Sequence, residues 1–524
     1  TVSPSLGENS LSAMVLAGVI AFALIVVFMT VLYRLPGFLA CIALAGQVAA
    51  TLAFVSGYFP VFESFTLTLP GIAGIILAIG MGVDANVITA ERIKEELKNG
   101  KSLDGALKSG FARGLTPIID GNVTIVIVAI VLMGAFGPSD GLFAKALHFV
   151  FFAFGPSTAG TIYAFGYTLL TGVLLNFVFG VFATRVMIRG AASIKALRNP
   201  WLYGAAKLGK DETEKKQIDF VGLRKKFLVF SSCLMAAIVL CAVVFGVHLD
   251  TEFTGGAMIT LSYDGSFEMA QVQQTASDAL ENTGLTLQTG ENVATGDQTL
   301  KISMPGTETV TTDQVEALLD SLNETYPDNN FAQLSLSNVS AAMGTKFLQK
   351  SLVAVAFALV LILLYIALRF KNIGGLTGGM MAVLALVNDL MVVLGTFVLL
   401  RTPLDGNFIA AMLTILGYSI NDTVVVYDRI RENRALMGKK ASFEELVNRS
   451  VNQSARRTLI TTITTVMALG VLCIVAKLYG LDSIFTFAFP LMMGMISGVY
   501  TSLCVSTSAW MLWSERSPKS GKKA

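Results

Sequence analysis

The chain has 524 residues, of which 54% are apolar and only 14% charged, and its mean hydropathy is +0.67. That balance excludes a soluble globular protein. The formal net charge of +2 carries no information on partners, because the charges are segregated along the chain.

The polar lead-in Thr1–Ser10 precedes an apolar run, Leu11 to Leu32, long enough to cross a bilayer, and no basic n-region marks it as a signal peptide. Tyr33-Arg34-Leu35-Pro36-Gly37 reads as a tight basic turn before a second span, Phe38 to about Tyr58. A third span, Leu67 to Ala90, carries Asp84 and runs into the charged stretch Glu91–Gly114. The fourth, Pro117 to about Phe136, contains Asp120, Asn122 and Thr124. Leu142–Phe154 is apolar but too short to cross, so a re-entrant or interfacial segment is expected there. Ile162 to about Ile188 is the fifth span, and a basic linker, residues 191–226, leads to the sixth, Phe227–Leu249.

Between Thr251 and Thr345 thirteen acids face one base, Lys301. The pattern predicts a strand (Ala257–Tyr263), a helix (Met269–Asn282) and two strands (Leu285–Gln288 and Thr299–Met304). A second helix (Thr312–Leu322) and a last strand (Ala332–Leu336) complete β-α-β-β-α-β, the ferredoxin-like order. Five further spans follow: Leu352–Leu368, Leu376–Leu400, Phe408–Tyr427, Leu459–Ala476 and Ile484–Trp513, the last expected to bend at Pro490. The expected fold is therefore a polytopic α-helical membrane protein of two pseudo-symmetric halves with one small α+β domain. Its expected units are 1–10, a first membrane domain 11–190, the linker 191–226, one span in 227–250, the domain 251–345, a second membrane domain 346–513 and a basic tail 514–524. Alternate loops are basic, so the lysine and arginine bias puts those loops in the cytoplasm and residues 251–345 outside. Eleven spans with an external Thr1 imply that a first span is missing from the chain as given.

Two stretches carry the chemistry. Leu416-Gly417-Tyr418-Ser419-Ile420-Asn421-Asp422-Thr423 places polar groups inside an apolar run that ends in Asp428-Arg429-Ile430-Arg431-Glu432. An echo lies 337 positions earlier, with Gly80, Asp84, Asn86 and the exit Glu91-Arg92-Ile93-Lys94-Glu95. A carboxylate in a span costs roughly 2.5–3.5 kcal/mol on insertion scales, so two of them in matched repeats point to function. Acids in low dielectric can exchange protons near neutral pH, and a repeat architecture with a midplane site is the layout of secondary transporters. Asp84, Asp422 and Arg457 are the candidate relay, with Asp389, Asn388, Asp120, Asn421, Asn86 and Arg456 as supporting residues. For Arg457, snorkelling to the interface is the competing reading. Gly100-Lys101-Ser102 lacks the glycine a phosphate loop needs at position 95, which is Glu95. Two histidines and five cysteines in apolar runs without a Cys-x-x-Cys pair give no metal site, and no cofactor is expected.

Several motifs match a known family. Val2-Ser3-Pro4-Ser5-Leu6-Gly7, Tyr33-Arg34-Leu35-Pro36-Gly37, Leu69-Pro70-Gly71-Ile72-Ala73-Gly74 and Val83-Asp84-Ala85-Asn86 resemble SecD. Asp250-Thr251-Glu252-Phe253-Thr254-Gly255-Gly256, Gly417 to Val425 and Asp428-Arg429-Ile430-Arg431-Glu432-Asn433 resemble SecF. The chain thus resembles the fused SecD/SecF protein-export family of the RND superfamily, nearly end to end, without SecD's first span and large external domain. The resemblance implies a non-enzymatic accessory of the SecYEG translocon in the bacterial cytoplasmic membrane, using the proton-motive force to help preproteins leave. Its implied partners are SecYEG, SecA, a YidC-type insertase, the exported preproteins and membrane lipid, with no nucleic acid. By motif it carries the proton path onto Asp84, Asp422 and Arg457, with Arg456 leaving the last match ambiguous by one. Where the family usually reads His-Asp, this chain has Asn388-Asp389. Alternatives from other classes are a small-molecule or lipid exporter sharing the relay, and a scaffold that clamps the translocon without pumping. Sodium in place of the proton is also open.

Overall fold

The computed structural model describes residues 8–58, 69–155, 160–204, 218–265, 267–280, 284–291, 298–306, 310–438, 441–479 and 481–516. Residues 1–7, residues 205–217 of the expected linker and residues 517–524 of the expected tail lie outside them. Eleven helices among the described residues are long and apolar enough to cross a membrane. They are span 1 (Ser12–Tyr33), span 2 (Leu35–Val55), span 3 (Gly74–Lys98), span 4 (Leu103–Phe136), span 5 (Ile162–Ser193) and span 6 (Phe220–Phe245). The second set is span 7 (Ala341–Arg369), span 8 (Gly375–Leu400), span 9 (Gly406–Met437), span 10 (Phe443–Leu478) and span 11 (Ile484–Glu515).

Several helices run past the apolar windows into charged sequence. Span 4 starts at Leu103 because Ser102 caps it, accepting the Gly105 N–H, with Asp104 in the first turn. Span 10 repeats the device: Ser442 accepts the Glu445 N–H, and Glu444 and Glu445 occupy its first turn. Both arrangements satisfy orphan amides and complement the helix dipole. The Gly-Lys-Ser tripeptide is thus a helix cap, with Lys101 paired to Glu96 at 2.6 Å. Pro490 sits inside a continuous helix, Asp482–Tyr500, and the departure from α geometry comes later, as a π-helical stretch at Thr501–Ser506. Span 5 has its own π stretch, Phe177–Ala183. Residues 142–154 form two short helices and a 3-10 turn, Leu142–Ala146, His148–Phe151 and Phe152–Phe154. They pack on span 7 through Phe149 and Phe151 against Phe357.

Spans 3 and 9 are the most enclosed of the eleven, and the most extensive contacts that cross between the halves run from span 4 to span 9 and from span 3 to span 10. Those two contacts are equivalent under the sequence repeat. The polar residues of both repeats are therefore brought to one interface.

Between spans 6 and 7 lies the α+β unit. Its sheet order is β2-β3-β1-β4, with β1 Gly256–Tyr263, β2 Thr286–Glu291, β3 Gln298–Pro305 and β4 Ala332–Val339, every pair antiparallel. Helices Met269–Ala279 and Thr312–Thr325 pack on it around a separate core that includes Ile259, Leu261, Val315 and Leu318. The expected β-α-β-β-α-β order is the observed one. The unit is fastened to the bundle beside span 9. The Asp250 N–H donates to Leu404 O at 2.9 Å, and Glu252 Oε2 accepts the Gly406 N–H at 2.8 Å. Asp405 caps span 9 through the Asn407 and Phe408 N–H groups. Burial drives the Asp405 carboxyl up to about 7, with the neighbouring charges of Glu252 and Asp250 adding to the effect and Lys301 opposing it. Glu252 is displaced in the same direction, by burial first and Asp250 second.

Candidate functional site

Spans 3 and 9 meet through polar side chains, while their glycines pack on other helices, Gly80 against Thr465 of span 10 and Gly417 against Ile125 and Val128 of span 4. Asn421 Nδ2 donates to Asp84 Oδ2 at 2.9 Å, and these residues are 337 apart, the offset of the sequence repeat. The residue equivalent to Asp84 in the second half thus holds Asp84 itself, across the pseudo-symmetry axis. A glycine permits this approach: a Cβ at Gly121 would fall 1.7 Å from Asn421 Oδ1. Arg457 completes the group, its Nη2 3.7 Å from Asp84 Oδ1, with the two side chains only 12% and 22% exposed. Asp422 hydrogen-bonds with Thr462 and lies within electrostatic reach of Asp84 and Arg457. A cavity of about 50 Å³ is bounded by Asp84, Asn421, Asp422, Thr461, Thr462 and Thr465. Carboxyl, amide and hydroxyl groups stand among apolar atoms in its wall, and its volume is enough for water.

Arg457 lines a wider cavity, of about 660 Å³, at the basic end of the bundle, together with Glu91, Arg92, Glu95, Arg429 and Arg456. The guanidinium therefore connects the wide cavity, which it lines, to Asp84, which lines the small one. Arg456 points elsewhere: it is half exposed and lies 3.5 Å from Glu91. Geometry thus separates the two adjacent arginines.

The remaining candidates are not gathered at this point. Asp389 on span 8 is fully buried and accepts hydroxyls from Ser419, Ser497 and Thr501, at 2.6 Å from Ser497 and 2.9–3.0 Å from Thr501. Thr501 opens the π stretch, so that irregular turn delivers one of the donors. Asn388 donates to Ser231 on span 6 and leaves its Oδ1 without a partner. Asp120 pairs with Arg369 of span 7 at 2.8 Å and accepts from Tyr365 at 3.2 Å. Asn86 is buried and bonds back to its own helix at Gly82 O.

One constellation was missed as a site. Arg92 bonds Glu432 at 2.8 Å and Arg429 bonds Glu95 at 2.7 Å, both from span 3 to span 9. Within each helix Arg92 meets Glu95 at 3.1 Å and Arg429 meets Glu432 at 2.8 Å. Both arginines and both glutamates are related by the repeat offset, so the quartet is its own image under the pseudo-symmetry. The signal was present in the two matched exits; pairing each exit against the other would have found it.

The family profile described as "Protein export membrane protein SecD/SecF, C-terminal" matches residues 1–165 and 318–516. The chain belongs to this SecD/SecF family. It is 31% identical over 531 residues to the protein translocase subunit SecDF of Bacillus subtilis, covering 99% of this chain and 66% of that protein. It is also 31% identical over 458 residues to the SecDF of Thermus thermophilus, covering 83% of this chain and 53% of the relative. The crystal structure of Thermus SecDF, described as a translocon-associated membrane protein, superimposes with a TM-score of 0.78 at 28% identity. That match covers 98% of this chain and 63% of the other. A SecDF in a super-membrane-facing form matches with a TM-score of 0.70 at 27% identity. The chain thus spans about two thirds or less of the length of these relatives.

Proposed function

We propose that this chain is the membrane-embedded part of a proton-driven accessory of the Sec translocon, promoting export of preproteins across a bacterial cytoplasmic membrane. The observation that carries this reading is that Arg457 lines the wide cavity and its guanidinium lies 3.7 Å from Asp84, which lines the small one. Two carboxylates and one guanidinium in low dielectric leave an unbalanced charge that a single proton neutralises. Proton occupancy then changes the attraction across the span 3–span 10 contact, which joins the two halves. Asn421, Thr462 and the small cavity hold the carboxylates in place and give a proton a polar route, while Asp389, saturated by hydroxyls, braces spans 8, 9 and 11. Each charge crossing the membrane contributes roughly 2.3 kcal/mol per 100 mV, so a few protons suffice for a rearrangement of several kcal/mol. The positive-inside rule orients the basic end and the wide cavity to the cytoplasm and residues 251–345 to the outside, where an emerging preprotein would meet them. SecYEG is the proposed partner, with SecA and a YidC-type insertase in the same assembly.

Asp84→Asn and Asp422→Asn test the reading, because Asn keeps the volume but cannot ionise. Each variant, at normal levels of inserted protein, is expected to abolish the ionophore-sensitive part of preprotein export into membrane vesicles. The double variant is expected to be no worse, since residues acting as a unit are non-additive. Ionophore-sensitive export surviving in Asp422→Asn would refute the relay.

A further inference from the structure

A third cavity, of about 520 Å³, lies away from the relay, where the start of span 4 meets the end of span 5. Its charged lining is Lys108, Arg185, Arg189 and Arg198 against a single acid, Asp104. Asp104 is engaged with Arg198, Nη2 to Oδ2 at 2.5 Å. Among the described residues no carboxylate pairs with Lys108, Arg185 or Arg189. Arg185 and Arg189 are four residues apart on one helix and both lie over the same ring, Phe111, with Cζ at 5.4 and 5.7 Å from its centroid. Like charges at that spacing oppose helix stability unless something of opposite sign stands between them. Arg185 Nε, moreover, is buried with no hydrogen-bond partner. The cluster is therefore short of an anion.

The surroundings say which kind. One and two turns further into span 4 from Phe111, Leu115 and Ile119 are 37% and 40% exposed, and beside Arg185 on span 5 Phe182 and Val186 are 67% and 54% exposed. An outward apolar surface thus gives way to the basic cavity on the same two helices, the level at which a bilayer's phosphates lie. Basic pockets between spans bind anionic headgroups, and guanidinium groups suit phosphate through paired N–H donors.

We propose that this cavity holds the phosphate of an anionic phospholipid, its acyl chains lying along Leu115, Ile119, Phe182 and Val186. Native mass spectrometry of the full chain, released from nanodiscs of phosphatidylcholine and phosphatidylglycerol, tests this. The wild type is expected to retain phosphatidylglycerol preferentially. The R185Q/R189Q variant is expected to lose that preference by about thirtyfold, at about fivefold per basic residue, whereas K225Q/K226Q, which removes equal charge from exposed positions on span 6, keeps it. Equal retention by wild type and R185Q/R189Q would overturn the proposal. Displacement of the retained lipid by millimolar inorganic phosphate would assign the site to a soluble anion and overturn the lipid source. A photoactivatable phosphatidylglycerol on the unmodified chain provides a readout independent of how the variant folds. Crosslinks confined to peptides within 103–119 and 182–193 support the site, and labelling spread evenly around the bundle would overturn it.

Discussion

Removing one glutamate from the quartet has a cost that can be ranked before it is measured. Glu432 receives Arg92 at 2.8 Å, Arg429 at 2.8 Å and Arg113 at 3.6 Å, and its side chain is 21% exposed. Glu95 receives two of these cations, Arg429 at 2.7 Å and Arg92 at 3.1 Å, and is 37% exposed. A unit pair at 4 Å interacts by about 4 kcal/mol at an effective dielectric constant of 20, before desolvation is subtracted. Exposed pairs net 0.2–1 kcal/mol and broken buried pairs cost about 3–5 kcal/mol. Arg92 and Arg429, at 12% and 11% exposure, lie nearer the buried limit than their partners do. Glu432→Gln is therefore expected to destabilise the bundle by about 2–3 kcal/mol and Glu95→Gln by about 1–2 kcal/mol. A cycle with Arg92→Met should show Arg92 coupled to Glu432 by about 1–2 kcal/mol, read from denaturant unfolding in mixed micelles. Because the arginines are mostly covered, 0.5 M salt should remove less than half of that coupling. A larger cost for Glu95→Gln than for Glu432→Gln, or additivity within about 0.4 kcal/mol, would refute the ion-pair argument.

Three further expectations concern the site and the junction. Gly121→Ala adds a methyl group where Asn421 Oδ1 stands, so it should displace Asn421 from Asp84 and impair ionophore-sensitive export without loss of inserted protein; normal export would refute the close-approach argument. Asp405 sits at about 7 in the fold against 3.8 for the free group. The folded state therefore holds a proton that the unfolded chain has lost, and stability falls as pH rises from about 4 to about 7, by up to about 1.4 kcal/mol per unit. Asp405→Asn, which keeps a capping oxygen, should melt higher than wild type at pH 8 and at the same temperature at pH 4; equal melting at both would refute the burial argument. Residues 251–345 expressed alone should unfold cooperatively, since their sheet and helices share a core of their own; a disordered circular dichroism spectrum would refute it.

The eleven spans and the strand order were legible because hydropathy and two-residue alternation are local signals. The true helix ends were not. Span 4 begins at Leu103 rather than near Pro117, because the Ser102 cap and the ion pairs of Lys101 and Arg113 with Glu96 continue the helix after the apolar signal stops. Pro490 predicted a bend, yet the helix runs through it and the irregular turn falls at Thr501–Ser506. Inside a bundle the amide that proline lacks costs little when neighbouring spans pack around it, whereas the π turn aims Thr501 at Asp389. Asp84 and Asp422 stood out because charge in an apolar run is conspicuous. Asp120 stood out equally, but its partner Arg369 is 249 positions away, and no local pattern announces a bond of that range.

The repeat is most informative where it breaks. At the basic end it is kept: arginine faces glutamate both ways across spans 3 and 9, and the quartet is internally neutral. A neutral, symmetric set favours one arrangement of the two helices and has little to gain from a proton. Eight to eleven positions earlier, Asp84 meets not a second aspartate but Asn421, with Asp422 one residue on. That one-residue displacement prevents two carboxylates from facing each other directly and leaves both sharing one guanidinium, Arg457. Charge is therefore balanced where the halves are pinned and unbalanced where they meet within the membrane. A symmetric second carboxylate offers the test: Asn421→Asp should require an additional proton at the site, shifting the pH dependence of export while leaving the quartet intact. An unchanged pH profile in that variant would mean that the asymmetry at Asn421 has no bearing on how the site handles charge.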